Sequence, residues 1–307
     1  MFWMLLVLLY GLLKGAREIA KKKAMEKSTM LEVLFFYTLF SFLLTALISL
    51  LGGREGLSEI DPGNISPAMM GAMAFKALII FVAWICGFLA VKKMPVGVYG
   101  ILDLARVLFS TLLGVVVLHE VLYLPQILGL VLVCAGLLLL KWMPVRSKSL
   151  SAEKVPEKTK GSDERIPFVY ILISLACCLL NSVSGLMDKM LMSTGLTAAA
   201  LQFWYMLFLT LFYAAFLLIR REKIDLKGVL KNLWIPVLAV MFVIADRALF
   251  IANKMPDSRM TVMTVIKQAG VFVTILGGRF VFKEKNTTYK IFCALVVVAG
   301  ILISSLL

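Results

Sequence analysis

Long apolar runs separated by short charged segments make up most of this chain. A membrane-spanning helix needs about 20 mainly apolar residues, and runs of that length predict ten spans. They lie at roughly 1–20, 30–51, 68–91, 95–118, 122–142, 167–190, 197–219, 232–252, 257–282 and 288–307. The first run is the most interrupted, because Lys14, Arg17 and Glu18 lie within it. Lys14 and Glu18 are four residues apart, a spacing that predicts a pair on one helix face.

A polar segment divides the chain into two halves. Residues 143–166 are rich in Pro, Ser, Lys and Glu, a composition that cannot bury a core and predicts a flexible linker. The flanking segments, 1–142 and 167–307, each hold five of the predicted spans. Because five is odd, the second half enters the membrane in the opposite direction. The pattern therefore predicts an all-α integral membrane protein of ten transmembrane helices, built as two inverted five-helix repeats.

The two halves also share short sequence features. The tripeptide Lys-Met-Pro occurs at 93–95 and again at 254–256, an offset of 161 positions. Each copy precedes a long apolar span that ends in a short charged turn. Each turn holds a Glu that is followed 16 positions later by a Gly in the next apolar run: Glu120 and Gly136, Glu284 and Gly300.

Composition and charge add an orientation to this topology. The chain is 61% hydrophobic with a mean hydropathy of +0.96, which excludes an ordinary soluble domain. The net charge is +14, and most of the basic residues lie between the apolar runs. This placement indicates membrane topology, and we expect no nucleic-acid partner. The linker side holds 24 of the 32 Lys and Arg residues and the opposite side holds four. The positive-inside rule predicts a plasma-membrane protein with a cytoplasmic linker and both termini outside.

The remaining composition gives no sign of a cofactor or of catalysis. The five cysteines all lie inside apolar runs, without the spacing of a metal site or of a disulfide framework. The chain has one histidine and no nucleophile–base pair at a useful spacing. We therefore expect no metal, no cofactor and no enzyme activity, and an intramembrane enzyme is the most distant alternative.

These features together resemble a known family. The two five-span halves, the Glu after the fourth and ninth spans, and the Gly-containing helix that follows each turn are similar to the drug/metabolite transporter superfamily, in particular its EamA-type members. The resemblance covers essentially the whole chain and is best at 89–141 and 250–306. It implies the ten-helix fold and a transport function. Members commonly have cytoplasmic termini, which is opposite to the orientation that the loop charges predict here.

Charged residues inside the spans are the candidates for function, since intramembrane ionisable groups are functional by default. Asp103 and Arg106 lie one turn apart in span four, and adding the repeat offset of 161 to 106 gives Lys267 in span nine. A pseudo-two-fold axis would bring Arg106 and Lys267 to the same depth, which predicts a paired cationic site. Two such cations need water, counter-charges or an anionic ligand. Asp103 is also the candidate for proton coupling.

Further polar residues complete the candidate substrate-binding set. The whole set is Arg106, Lys267, Arg247, Asp103, Asp246, Gln268, Thr264 and Lys76. Several have a structural alternative: the Asp103–Arg106 pair can fix helix packing, Lys76 can extend its charge to the membrane surface, and Gln268 and Thr264 can bond between helices.

Four cations against two acids favour an anionic substrate. The sequence therefore predicts a secondary transporter of a small organic metabolite that bears a phosphate or a carboxylate, working by alternating access around a midplane basic site. The alternatives are a flippase for a phosphate-bearing lipid and an exporter of zwitterionic amino acids or drugs. The expected partners are a small-molecule or lipid-headgroup anion and the membrane lipids, whereas the oligomeric state is left open.

Overall fold

The fold is taken from a computed structural model of the chain. It describes residues 2–52, 65–118, 123–140, 167–194, 196, 198–222, 224–254, 263 and 266–305. Over these ranges the regular structure is helical throughout and contains no strand. The predicted all-α fold is confirmed. The linker at 143–166, the turn at His119 and Glu120, and the candidate Thr264 lie outside the described residues.

Twelve α-helices are described, six on each side of the linker. Those before it are α1 Phe2–Ala24, α2 Met30–Gly52, α3 Pro67–Lys93, α4 Val96–Leu102, α5 Arg106–Leu118 and α6 Leu124–Leu139. Those after it are α7 Phe168–Ser193, α8 Ala198–Arg220, α9 Leu226–Lys231, α10 Trp234–Lys254, α11 Ala269–Phe282 and α12 Thr287–Ser305.

Six segments are long and apolar enough to cross a membrane. They are Met30–Ile48, Pro67–Lys93, Val96–Val117, Phe168–Asp188, Ala199–Arg220 and Thr287–Ser304. Two shorter apolar helices, α6 and α11, accompany them. Helix α1 is less apolar because Lys14, Arg17 and Glu18 interrupt it. The total of ten spans and the side on which the termini lie stay predictions.

The structure breaks predicted span four at its charged pair. Helix α4 ends at Leu102, a 3₁₀ turn covers Asp103–Ala105, and α5 begins at Arg106. Side chains of α7 bond carbonyl groups beside this break: the Cys178 thiol donates to the Leu102 carbonyl (3.5 Å) and the Ser182 hydroxyl to the Arg106 carbonyl (3.0 Å). Irregular backbone at membrane depth is tolerated where it is buried in protein. The break therefore belongs to the interior of the helix bundle.

Span nine is also interrupted next to its charged residue. The turn at Gln268 separates Lys267 from α11, which begins at Ala269. Helix α1 lies close to this point, since a Cβ at Gly11 would stand 3.0 Å from the Lys267 carbonyl oxygen. One turn further along α1, a Cβ at Gly15 would collide with the Gly270 carbonyl. Small residues let two helix backbones approach in this way. The close approach brings Lys14, on α1, near the interruptions at Asp103 and at Gln268.

Helix packing has an internal symmetry. Helix α1 packs against α10 and α11, and α7 packs correspondingly against α3 and α5. Helix α2 contacts α10 as α8 contacts α3, while α2 pairs with α8, α4 with α11 and α6 with α12. When α1, α2, α3 and α6 are exchanged with α7, α8, α10 and α12, and the broken span of α4 and α5 is exchanged with α11, each of these contacts maps onto itself or onto another one. A pseudo-two-fold axis produces this pattern, although the exact repeat boundaries stay a prediction.

Candidate functional site

A cavity of about 310 Å³ lies in the centre of the helix bundle. Helix α1 contributes a polar stripe to its wall: Tyr10, Lys14, Arg17 and Lys21. Their spacing of four, three and four residues places them on one helix face. The charges that interrupt the first apolar run therefore line the cavity. The sequence-derived candidate set omitted them, although the helical spacing of the stripe was a readable signal.

Asp103 joins two cations that line this cavity. One carboxylate oxygen lies 2.7 Å from a terminal nitrogen of Arg106, and the other lies 2.7 Å from Nζ of Lys14. Lys14 thus pairs across helices with Asp103, and the predicted pair along α1 with Glu18 is replaced by a Glu18–Lys21 pair at 2.6 Å. Helical spacing alone cannot reveal a partner on another helix. We call Lys14, Asp103 and Arg106 the triad.

The triad carries one excess positive charge, because a single carboxylate faces two cations. Arg106 and Lys14 line the cavity, and the Arg106 side chain is 31% exposed. Nε of Arg106 is buried and has no hydrogen-bond partner. Each oxygen of Asp103 already contacts a cation, so proton binding would have to break one ion pair. The contacts favour a positioning role for Asp103 over the predicted proton coupling.

A second ion pair lies on the wall formed by α3 and α7. Nζ of Lys76 is 3.0 Å from the Ser184 hydroxyl, 3.2 Å from Asp188 and 4.5 Å from the centre of the Tyr205 ring. The Lys76 side chain is only 3% exposed, so the alternative in which it reaches the membrane surface is wrong. Asp188 is 39% exposed and lines the cavity. The sequence-derived set missed Asp188, because it lies near the end of its span beside Lys189.

Aromatic side chains form part of the wall near α10. The rings of Tyr37 and Trp84 stack with centres 5.2 Å apart, and Phe242 meets both edge-on at 5.8 Å. The Arg17 guanidinium lies 5.1 Å from the centre of the Phe242 ring. Asp246 lines the same cavity. This wall offers apolar and π surfaces beside charged groups of both signs.

The structure separates the remaining predicted residues from the central cavity. Lys267 and Gln268 line a smaller cavity of about 20 Å³, which Lys14 and Asp103 also border. Lys267 makes no hydrogen bond or ion pair with any residue that the structure describes. Arg247 does not line the central cavity, and two of its guanidinium nitrogens are buried without a hydrogen-bond partner. Arg106, Lys76 and Asp246 thus line the central cavity, whereas Lys267, Gln268, Arg247 and Asp103 do not.

Ligand groups for a metal ion are not clustered in the part of the chain that is described. No group of three or more His, Cys, Asp or Glu residues there is placed to hold one. The cavity instead offers ammonium, guanidinium, carboxylate and hydroxyl groups. Such groups bind polar organic solutes through ion pairs and hydrogen bonds.

Residues 1–142 match the EamA-like transporter family. These 142 of the 307 residues are similar to that family. The match bears out the predicted drug/metabolite transporter resemblance, and together with the apolar helices it supports a multi-pass membrane protein. No curated protein matches it in sequence.

A solved structure, named only "Crystal structure of protein", is also similar to this chain. The similarity covers 95% of each chain, with a TM-score of 0.56 and 16% sequence identity. At this identity the likeness shows the fold alone. It extends beyond the residues that match the family and includes both sides of the linker.

Proposed function

We propose that the protein is a secondary transporter that carries a small organic anion through the central cavity by alternating access. The observation that carries this proposal is the triad, whose one carboxylate leaves an excess positive charge on Lys14 and Arg106. An uncompensated charge away from water is costly. An acidic group on the substrate would supply the missing counter-charge.

The geometry supports a division of roles within the triad. Arg106 presents a planar fork of donors that suits a carboxylate or phosphate, and Lys14 adds a point charge. Asp103 holds one terminal nitrogen of Arg106 and so fixes the orientation of the guanidinium. A cavity of about 310 Å³ is large enough for a small metabolite. The cavity of about 20 Å³ beside Lys267 holds little more than a water molecule.

Alternating access fits the way the cavity is built. Its wall combines α1, α3 and α5 with α7, α8 and α10, so both sets of helices contribute. The Lys76–Asp188 ion pair joins α3 to α7 across the two sets. Rocking of one set against the other around a central site is how transporters with internal repeats expose a substrate to each side. Breaking and re-forming the Lys76–Asp188 pair would accompany that motion.

Ligand stabilisation of the purified protein tests the proposed substrate class. A ligand that binds only the folded state raises the midpoint of thermal unfolding. We expect carboxylates and phosphate esters at millimolar concentration to raise this midpoint in detergent, and simple amines to leave it unchanged. The stabilising compounds should then show saturable uptake into proteoliposomes. Stabilisation by amines alone would contradict an anion site.

A zwitterionic substrate is the second candidate, favoured by the exposed carboxylate of Asp188 on the same cavity. In that case the acid of the substrate lies at Arg106 and its ammonium at Asp188. We expect the Asp188→Asn variant to bind zwitterions about tenfold more weakly, for the loss of about 1.4 kcal/mol. Simple anions should bind to this variant at least as tightly as to the unaltered protein, because the variant removes a negative charge from the cavity. The measurement is the ligand concentration that gives half of the thermal shift.

The control for this variant is Glu222→Gln, which removes a carboxylate from an exposed position outside the cavity. It should leave the binding of both substrate classes unchanged. An equal effect of Asp188→Asn on zwitterions and on simple anions would exclude Asp188 as the ammonium site.

A further inference from the structure

A polar depression of about 590 Å³ lies at the turn between α11 and α12. Its lining includes Arg279, Lys283, Lys285 and Thr288, all of them exposed. We call these four residues the turn site. Three cations within seven positions make it a concentrated positive patch outside the central cavity.

The acid in this turn does not neutralise the patch. Glu284 points inward, where it accepts hydrogen bonds from Lys290 and from backbone amides at the start of α4. Its side chain is almost completely buried. The side chains of Arg279 and Lys283 make no hydrogen bond or ion pair with the described part of the chain. Their charges are therefore available to a ligand.

Exposed apolar side chains adjoin the turn site on both helices. Phe280 is 75% exposed on the last turns of α11, and Phe292 is 54% exposed on α12. In a membrane-spanning protein, side chains of this kind face the acyl chains of the bilayer. The cations thus stand at the border between the lipid-facing surface and the polar end of the bundle.

We propose that the turn site binds the phosphate headgroup of an anionic membrane phospholipid. Arg279 can hold two phosphate oxygens through its fork, Lys283 adds a point charge, and the Thr288 hydroxyl can donate a further hydrogen bond. The acyl chains then lie along Phe280 and Phe292. This site is separate from the central cavity, so the proposal does not depend on the transported substrate.

A lipid fits the site better than a soluble phosphate compound does. Clusters of Lys and Arg at the ends of membrane helices attract anionic lipids, with about a fivefold gain in affinity for each cation near the surface. A soluble phosphate would engage the cations but would leave Phe280 and Phe292 uncovered. The juxtaposition of the Arg279 and Lys283 charges with exposed aromatic residues is what selects the lipid.

Thermal unfolding with added lipid tests the proposal. Purified protein in a neutral detergent is titrated with phosphatidylglycerol, with phosphatidylcholine and with soluble glycerol 3-phosphate. We expect phosphatidylglycerol to raise the unfolding midpoint by several degrees and the other two to have little effect. The Arg279→Gln/Lys283→Gln variant should need about 25-fold more phosphatidylglycerol for half of the shift, since it lacks two cations.

A matched control removes two exposed cations elsewhere at the same end of the bundle. Lys227→Gln/Lys231→Gln changes α9, which is linked to the end of α1 because Asn232 donates to the Ala24 carbonyl. This control should keep the response of the unaltered protein. If both double variants needed equally more phosphatidylglycerol, the lipid would be attracted to the basic end of the bundle in general. That result would overturn the proposed site. Equal stabilisation by glycerol 3-phosphate would show that the ligand is not a lipid.

Discussion

Replacement of Arg106 by glutamine is expected to abolish detectable uptake of the anionic substrate at low concentration and to weaken its binding about 100-fold. Removing one partner of a buried, hydrogen-bonded charge pair costs roughly 2–5 kcal/mol, and about 1.4 kcal/mol corresponds to a factor of ten. The fold should persist, because Lys14 still neutralises Asp103 at 2.7 Å. Uptake into proteoliposomes and ligand-induced thermal shifts measure the two effects.

Two further variants test whether the loss of uptake depends on the guanidinium group and on its position at the central cavity. Arg106→Lys keeps the charge but loses the fork, so an intermediate loss of about tenfold is expected. Lys267→Gln should retain transport, because Lys267 borders the small cavity and not the central one. A loss in Lys267→Gln as large as that in Arg106→Gln would instead establish the paired cationic site that the sequence repeat predicts. Normal uptake by Arg106→Gln would rule out the triad as the anion site.

Replacement of Glu284 by glutamine is expected to lower the free energy of unfolding by about 3–5 kcal/mol, the usual effect of breaking a buried ion pair. The Glu284 carboxylate accepts from Nζ of Lys290 at 2.8 Å, from the Gly97 amide at 3.1 Å and from the Val96 amide. Lys290 is equally buried, so the substitution leaves an uncompensated charge inside the protein. It also weakens the contact between this turn and the start of α4.

Denaturation in detergent, followed by tryptophan fluorescence, measures this loss. Glu26→Gln is the matched control, because its pair with Lys23 is exposed to solvent and should contribute less than about 1 kcal/mol. Glu284→Met/Lys290→Met removes both charges and should recover at least half of the lost stability. A Glu284→Gln protein as stable as the Glu26→Gln control would show that the buried pair does not hold α4 in place.

The apolar runs alone predicted most of the architecture. The bilayer requires long helical segments whose backbone hydrogen bonds are made within the segment. An apolar run of sufficient length therefore predicts a helix. The all-α fold and the family resemblance followed from this pattern and from the repeat. The break at Asp103 did not, since a helix interruption buried in protein leaves no gap in the apolar run. It depends on Cys178 and Ser182, which bond the carbonyls beside it from another helix.

The candidate site was predicted only in part, for a geometric reason. Asp103 and Arg106 are three residues apart, so their ion pair was readable from helical spacing. Lys14 lies 89 positions before Asp103, and no local sequence pattern predicts a contact between residues so far apart. The same holds for Lys76 and Asp188, whose pairing depends on how α3 and α7 face each other.

The sequence by itself determined that this chain is a helical membrane protein, where its charges interrupt the spans, and which family its first half matches. These properties follow from composition and from position along each helix. Only the tertiary structure decided which charges meet. It joined Lys14 to the pair at Asp103 and Arg106, placed Lys267 beside a separate small cavity, and exposed Asp188 to the central one. The reason is that the rotation and approach of each helix depend on packing against its neighbours, including the glycine contacts between α1 and α11.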